Sequence, residues 1–408
     1  MKLRSITYFL NPGWPLDEKR FQSASAFIGA ARAAYTRAGY EVQTARLASV
    51  PFSQLISARA GALLAKLAQE IENMAGKHGF EYVSLGPAQP QDLTGYRAIP
   101  EALAATQNAF FSGLMTSAGG SLSLPAVRAC ADIIQRAATL TPDGIANLRF
   151  AALANVAPNS PFLPAAYHQG DAPAFALATE AADLAVEAFT GASSLAEARQ
   201  RLVASVEAHA RALEQVSEAL SKQFGLEFKG IDFSLAPFPD DAHSVGNAFE
   251  KMGVPAAGLH GSLAAAAILT DTLDSASFHR VGFSGLFTTV LEDSILGKRA
   301  ASGDLTVKDL LLYSAVCGTG IDTVPLPGDT SVEALSGLLL DLAALAVRLN
   351  KPLTARLLPV PGKKAGDPTG FDFAFFTNSR VMKLEAEPLT GLLAGDESFE
   401  LANLRWKR

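Results

Sequence analysis

Apolar residues fall along this chain in short, nearly continuous runs, separated by longer stretches in which they recur every three or four positions. Runs of the first kind predict strands covered on both faces, as in a parallel sheet. The second kind predicts amphipathic helices. The strand-like runs are 3–10, 40–48, 82–86, 109–115, 148–156, 226–236, 256–259, 316–324, 354–360 and 371–376, the last extending towards 384 as one long strand or a hairpin. Between them, Ser194-Leu195-Ala196-Glu197 has the spacing of a capping box, in which the serine accepts an amide and the glutamate returns to the cap. The helix behind it keeps Leu202, Val206, Leu213, Val216, Leu220 and Phe224 near one stripe and ends at Gly225. Ser123-Leu124-Pro125 starts another helix, with proline where no amide partner is needed. Thr141-Pro142-Asp143-Gly144 reads as a turn or a helix start. Strand and helix patterns alternate without a repeat or a linker. The expectation is one large α/β domain over 1–408, layered or closed into a barrel.

Composition narrows the function classes. Hydrophobic residues make up 49% and charged residues 18% of the 408, which supplies a large core and rules out disorder as the main state. The net charge of −6 offers no basic excess for a phosphate backbone, so nucleic acid is not an expected partner. The N-terminal apolar run is short and is stopped by Asn11-Pro12-Gly13, which suits a strand and not a signal peptide. The most apolar stretch, 253–270, contains His260 and is broken by Gly258 and Gly261, so no membrane span is expected. Leu338 to Leu349 is interrupted by Asp341 and Arg348 and reads as a buried amphipathic helix. Cys130 and Cys317 are the two cysteines and form no CxxC pair, which points to a reducing cytoplasm. The partners left open are a small molecule and further copies of the chain in a homo-oligomer.

Familiar phosphate and hydrolase signatures fail. Gly297-Lys298-Arg299 lacks the remaining P-loop residues, Gly318-Thr319-Gly320 lacks a third glycine, and neither HExxH nor GxSxG occurs. Four clusters remain, each where a strand hands over to a loop or helix, the edge at which α/β folds bind ligands. The first runs from Asn155 to His168, with three prolines shaping the loop. His168 reads as a base or metal ligand, or as a histidine that anchors the loop, with Asn159 as a cap. In the second, Asp232 sits inside an apolar strand, where a carboxylate is expensive unless bonded. Asp240, Asp241 and His243 follow it as further donors, or as a cap and a solvated turn. The third is Gly258-Leu259-His260-Gly261-Ser262, a histidine between glycines at a helix start. The fourth, from Val316 to Pro325, contains Cys317 beside Gly318 and, like Asp232, an acid in an apolar run at Asp322. Cys317 reads as a nucleophile or as a small buried hydrophobe. Among lesser signals, Glu292-Asp293 reads as a source of carboxylates or, preferred, as a solvated turn, and Arg356, Lys363 and Lys364 as anion binders or surface residues. Cys130, His78, His209 and His279 read as packing or surface positions.

Five motifs in order resemble the bacterial and archaeal family named domain of unknown function 711. They are Asn159-Ser160-Pro161-Phe162 with His168, Ile231-Asp232-Phe233-Ser234-Leu235-Ala236-Pro237, Gly258-Leu259-His260-Gly261, Gly282-Phe283-Ser284-Gly285-Leu286-Phe287, and Cys317 through Asp322. The resemblance begins at Arg4-Ser5-Ile6-Thr7 and reaches Arg380-Val381-Met382-Lys383. The family looks like a branch of the pyruvate formate-lyase-like superfamily. This implies a ten-stranded α/β barrel of two parallel half-sheets with helices outside. Glycyl radical enzymes carry an Arg-Val-x-Gly-Tyr-like loop near the C-terminus. Here Met382-Lys383-Leu384 follows Arg380-Val381, so no glycyl radical is expected.

The expected function is an enzyme that binds a small anionic metabolite inside the barrel. His168, His260 and Cys317 are its candidate catalytic residues, and Asn159, Asp232, Asp322 and Arg356 bind the substrate. A divalent metal is an open cofactor, with Asp232, His260 and Asp322 as candidate ligands. The alternative is a non-catalytic ligand sensor or scaffold on the same barrel.

Overall fold

Strands form where both faces of an apolar run find cover. The computed structural model describes residues 1–56, 60–117 and 119–404. Its strands are β1 (Lys2–Leu10), β2 (Val42–Pro51), β3 (Tyr82–Ala88), β4 (Ala109–Leu114), β5 (Ser121–Ser123), β6 (Phe150–Ala154), β7 (Ala174–Glu180), β8 (Glu227–Asp232), β9 (Gly320–Pro327), β10 (Leu353–Val360) and β11 (Ser398–Glu400). Nine of them form one sheet, in the order β8-β7-β1-β2-β3-β4-β6-β10-β9, and β11 pairs with β5.

The direction of the strands divides this sheet in two. β1, β2, β3, β4 and β6 run parallel to one another. β7 is antiparallel to β1 and carries β8 parallel to itself, while β10 is antiparallel to β6 and carries β9 parallel to itself. The result is a mixed, mostly parallel α/β sheet. The expected ten-stranded ladder is therefore nine strands long among the described residues. β8 and β9 are its outer strands, and the segment 280–290 lies against both. Ile231 and Leu235 bridge Arg280 and Leu286 in parallel, and Thr289 bridges Asp322 in parallel. The segment is not a regular strand because its amides are used elsewhere. Asp232 accepts those of Phe283 and Ser284, and Ser284 has φ of 41°.

Pleat alternation sorts the side chains. On β2, Ala45 and Leu47 join the large core cluster with the helices, whereas Ala48 faces the other way with Phe9, Phe110, Ala174 and Ala176. The two clusters on this inner face contain strand and loop residues only. The loop that follows β6 fills part of that face. Thr7 Oγ1 donates to the Pro161 carbonyl, Ser84 Oγ to that of Ala166, and the His168 amide to that of Ser49.

Several expectations change. The run 256–259 is a turn that leads into the helix Ser262–Asp274, because Gly258 packs against the backbone of Asp304. The run 371–376 is not a strand but the loop between flanks that pair antiparallel through one bridge, Pro368 with Arg380, and within it Phe376 packs on Phe371 and Phe373. β7 escaped notice because its inner positions are alanines, whose own preference is helical. The helix Leu195–Phe224 starts at Ser194 and ends at Gly225, but Glu197 returns to the Ser193 amide, one residue earlier than a capping box requires. Among the described residues, no helix is long and apolar enough to cross a membrane.

Gly285 and Gly318 bring 280–290 against the loop before β9. A Cβ on Gly285 would lie 2.4 Å from Gly318 Cα. Gly285→Ala and Gly318→Ala are each expected to cost about 1–3 kcal/mol in denaturant unfolding, the range for a methyl forced into a packed interior. Gly191→Ala, where a Cβ meets nothing within 4 Å but φ is 65°, provides the comparison for backbone strain alone.

Candidate functional site

β1, β2, β3 and β4 begin at the end of the sheet where β7 and β8 finish, because the two sets run in opposite directions. At this end a cavity opens on the inner face. Arg4 comes from β1, Thr44 and Arg46 from β2, Tyr82 from β3, Phe110 from β4, Glu180 from the end of β7 and Arg356 from β10. Glu292 follows 280–290, and Phe238, Phe373 and Phe375 line the same space. Its empty volume, with the mouth included, is about 680 Å³.

Six buried or nearly buried charged side chains converge here. Arg356 donates from Nε to Asp322 Oδ1 at 2.5 Å, and from Nη2 to Asp322 Oδ2 at 2.7 Å and Glu292 Oε1 at 2.8 Å. The other Glu292 oxygen accepts from Arg4 Nη2. Glu292 thus bridges two guanidiniums with both oxygens used. Arg4 Nη1 is buried without a partner among the described residues. Arg46 forms no ion pair among them, and its side chain donates only from Nε, to Thr44 Oγ1 at 2.9 Å. Glu180 Oε2 accepts from Gln43 at 2.9 Å, while Oε1 is buried and unpartnered.

Protonation follows from burial and neighbours. Burial disfavours the Arg356 charge, but Asp322 and Glu292 outweigh it and raise its pKa. Burial likewise opposes ionisation of Glu292, which Arg4 and Arg356 nevertheless hold below the ordinary glutamate value. Burial raises the Asp322 carboxyl, yet both its oxygens accept from Arg356, an arrangement that holds the ionised form. Burial, then the charge of Arg4, pushes Arg46 down to about 9, so it remains a cation at neutral pH. Glu180 is raised by burial against the pull of Arg4.

The expected site residues divide between places. Arg356 lines this cavity, and Asp322 lies behind it as its ion-pair partner. His168 lines a different cavity, with residues that follow β2, β3, β4 and β6, at the opposite end of those strands. There Asn159 Oδ1 is 3.3 Å from His168 Nδ1, and burial lowers the His168 pKa. Asp232 lines neither space. It is buried and accepts from Ser234 and from the Phe283 and Ser284 amides, which makes it an anchor for 280–290. His260 is exposed on the turn before its helix. Cys317 is fully buried, and its carbonyl accepts from Lys351 Nζ. The anticipated meeting of histidines, cysteine and aspartates is thus not what lines either cavity. Among the described residues, no three of His, Cys, Asp and Glu gather as a metal site, including Asp232, His260 and Asp322.

The motifs in the sequence do not single out Arg4, Arg46 or Glu180. A usable signal existed for the arginines, since each is a charge within a strand-like run, the same criterion that singled out Asp232. Glu292 and Asp293 are not a solvated turn. Asp293 is buried, accepts from Ser244 and from the amides of Val245, Ile295 and Leu296, and is pushed up to about 6 by burial.

The architecture defines a mixed α/β protein whose sheet carries a buried arginine–carboxylate cluster beneath an aromatic mouth. The chain belongs to the family described as Uncharacterised ACR (DUF711), which matches residues 1–377, a span that includes every residue of the cavity. It is similar to the UPF0210 protein PAE3581 of Pyrobaculum aerophilum, with 35% identity over 359 residues, 81% of this chain and 76% of the relative. It is also similar to the UPF0210 protein NMC1568 of Neisseria meningitidis serogroup C, with 29% identity over 347 residues, 82% of this chain and 77% of the relative.

Arg356→Met would leave Asp322 and one Glu292 oxygen buried without their cation, and is expected to cost about 3–5 kcal/mol in denaturant unfolding. Arg46→Met removes a cation that has no acidic partner, and is expected to leave stability within about 1 kcal/mol of the parent or to raise it.

Proposed function

We propose that this protein binds a small organic anion in the arginine-lined cavity and acts on it as an enzyme without a glycyl radical. One observation carries the reading. Arg4 and Arg46 line the cavity, and neither Arg4 Nη1 nor the Arg46 guanidinium has an anion assigned to it among the described residues. A buried guanidinium is expensive to keep without a counter-charge, so the ligand is the natural source of one. Glu180, an acid with an unpartnered oxygen on the same wall, supports catalysis over passive binding. In this reading Arg356 and Asp322, expected as substrate-binding residues, shape the anion site as an ion pair. His168 with Asn159 remains a separate acid–base candidate at the other end.

The reading includes a closed ring. The bridges from 280–290 to β8 and to β9 support this segment as a tenth member that joins the outer strands of the sheet. The ring then holds two parallel half-sheets of five that run in opposite directions, the arrangement implied by the pyruvate formate-lyase-like resemblance. Two free, buried thiols fit a reducing cytoplasm.

Calorimetric titration with acetate, pyruvate, benzoate, phenylacetate and inorganic phosphate tests the reading. At least one carboxylate is expected to bind, and Arg46→Met to weaken it by about tenfold or more, the worth of one charge-assisted hydrogen-bonding group. Absence of carboxylate binding, or equal binding by Arg46→Met, would overturn it.

A further inference from the structure

The anion reading leaves the charge and shape of the ligand open, and the cavity carries information on both. Three guanidiniums, Arg4, Arg46 and Arg356, face three carboxyls, Glu180, Glu292 and Asp322. With all three acids ionised the cluster is neutral and gives no electrostatic reason to admit an anion. With Glu180 protonated it carries a single positive charge. Glu292 and Asp322 cannot take that role, because each has both oxygens committed to guanidiniums. Glu180 has one oxygen on Gln43 and the other buried without a partner.

Resting on the anion reading, we infer that the cavity takes a monoanionic organic acid with a flat apolar body, together with one proton held between the ligand and Glu180 Oε1. The ligand carboxylate accepts from Arg46 and from Arg4 Nη1. A second carboxylate brought beside Glu180 makes it unfavourable for both to stay ionised, so one of the two holds a proton. Protonated Glu180 then donates to a ligand oxygen, which gives its idle atom a partner. The groups that act on Glu180 are Lys2 and Arg4 on β1, Gln43 on β2 and His243 on the turn after β8, while Arg46 and Glu292 line the same cavity. Lys2 already pairs with Glu41, and His243 bonds Asp240 at 2.8 Å. Burial favours the neutral acid at Glu180, whereas Arg4 and the Gln43 bond favour the carboxylate, so a ligand charge can shift the balance.

The shape follows from the rest of the wall. Tyr82 and Phe110 meet edge to face at 5.3 Å between ring centres, and Phe238 and Phe375 at 6.0 Å. With Leu148 and Leu163 they enclose the space beyond the guanidiniums in apolar surface. Such walls suit an aromatic or otherwise planar body and give a short polar acid little to bury.

Phenylacetate is the probe, titrated calorimetrically from pH 5 to 8 in buffers of unequal ionisation heat, below the value of about 9 at which Arg46 loses its charge. Binding is expected to take up as much as about one proton, and affinity to fall about tenfold per pH unit once free Glu180 is ionised. Acetate is expected to bind about tenfold more weakly or worse, and phenylacetamide not to bind. Glu180→Gln is expected to bind phenylacetate with no proton uptake and no slope with pH. Gln43→Leu removes a bond that favours the ionised acid, so it moves the onset of the slope to higher pH and tests the proton without altering Glu180. Binding of phenylacetate without proton uptake, uptake that persists in Glu180→Gln, or acetate equal to phenylacetate would overturn this inference and leave the anion site standing. Failure of every carboxylate to bind would overturn both.

Discussion

Glu292 shares one carboxylate between Arg4 and Arg356, and through this bridge three distant parts of the chain meet. Arg4 belongs to the first parallel set and Arg356 to the opposing one, while Glu292 ends the segment that touches both outer strands. Like charges brought this close in a buried setting repel strongly unless an anion lies between them. Glu292 is that anion, and Asp322 completes the compensation at Arg356. The charge arrangement also explains why the cavity remains: these side chains cannot collapse into an apolar core without losing their partners.

The opposition of the two strand sets has a second consequence. In an ordinary parallel sheet, ligands gather at one edge, where all strands finish. Here each end is a finishing edge for one set and a starting edge for the other. The arginine-lined cavity lies where β7 and β8 finish, and the His168 cavity where β2, β3, β4 and β6 finish. Between them the loop after β6 packs on the inner face, so residues near in sequence serve different ends. Phe162 lies under Arg356, its ring centre 5.5 Å from the guanidinium carbon, while His168, six positions on, lines the other space.

Much of the sheet was legible because burial on both faces leaves a strong mark. β1, β2, β3, β4, β6, β8 and β10 all coincide with apolar runs. What escaped had a local reason. β7 hides its inner face in alanine, and 280–290 contains glycines and serines whose amides serve Asp232 in place of a ladder. The site was less legible than the fold. Motifs with histidine and cysteine drew notice for their reactivity, yet His260 is exposed and the Cys317 side chain is enclosed. Asp232 and Asp322 were correctly marked as acids that need partners. Asp232 proved to satisfy backbone amides, and Asp322 an arginine 34 residues away in sequence. Nothing in the spacing distinguishes those outcomes, because the partner comes from tertiary structure.

Arg46 reverses the logic that explains its neighbours. Arg4 and Arg356 are held by carboxylates, and their burial is intelligible without any ligand. Arg46 lies on the same wall at 9% exposure, tied only to a threonine hydroxyl, with Arg4 and Arg356 both acting against its charge. An apolar side chain there would carry no electrostatic cost, so folding alone does not account for the arginine. The anion proposed for this cavity would account for it and would offset the repulsion among the three cations at the same time. Glu180 on the same cavity likewise keeps one buried oxygen without a partner among the described residues.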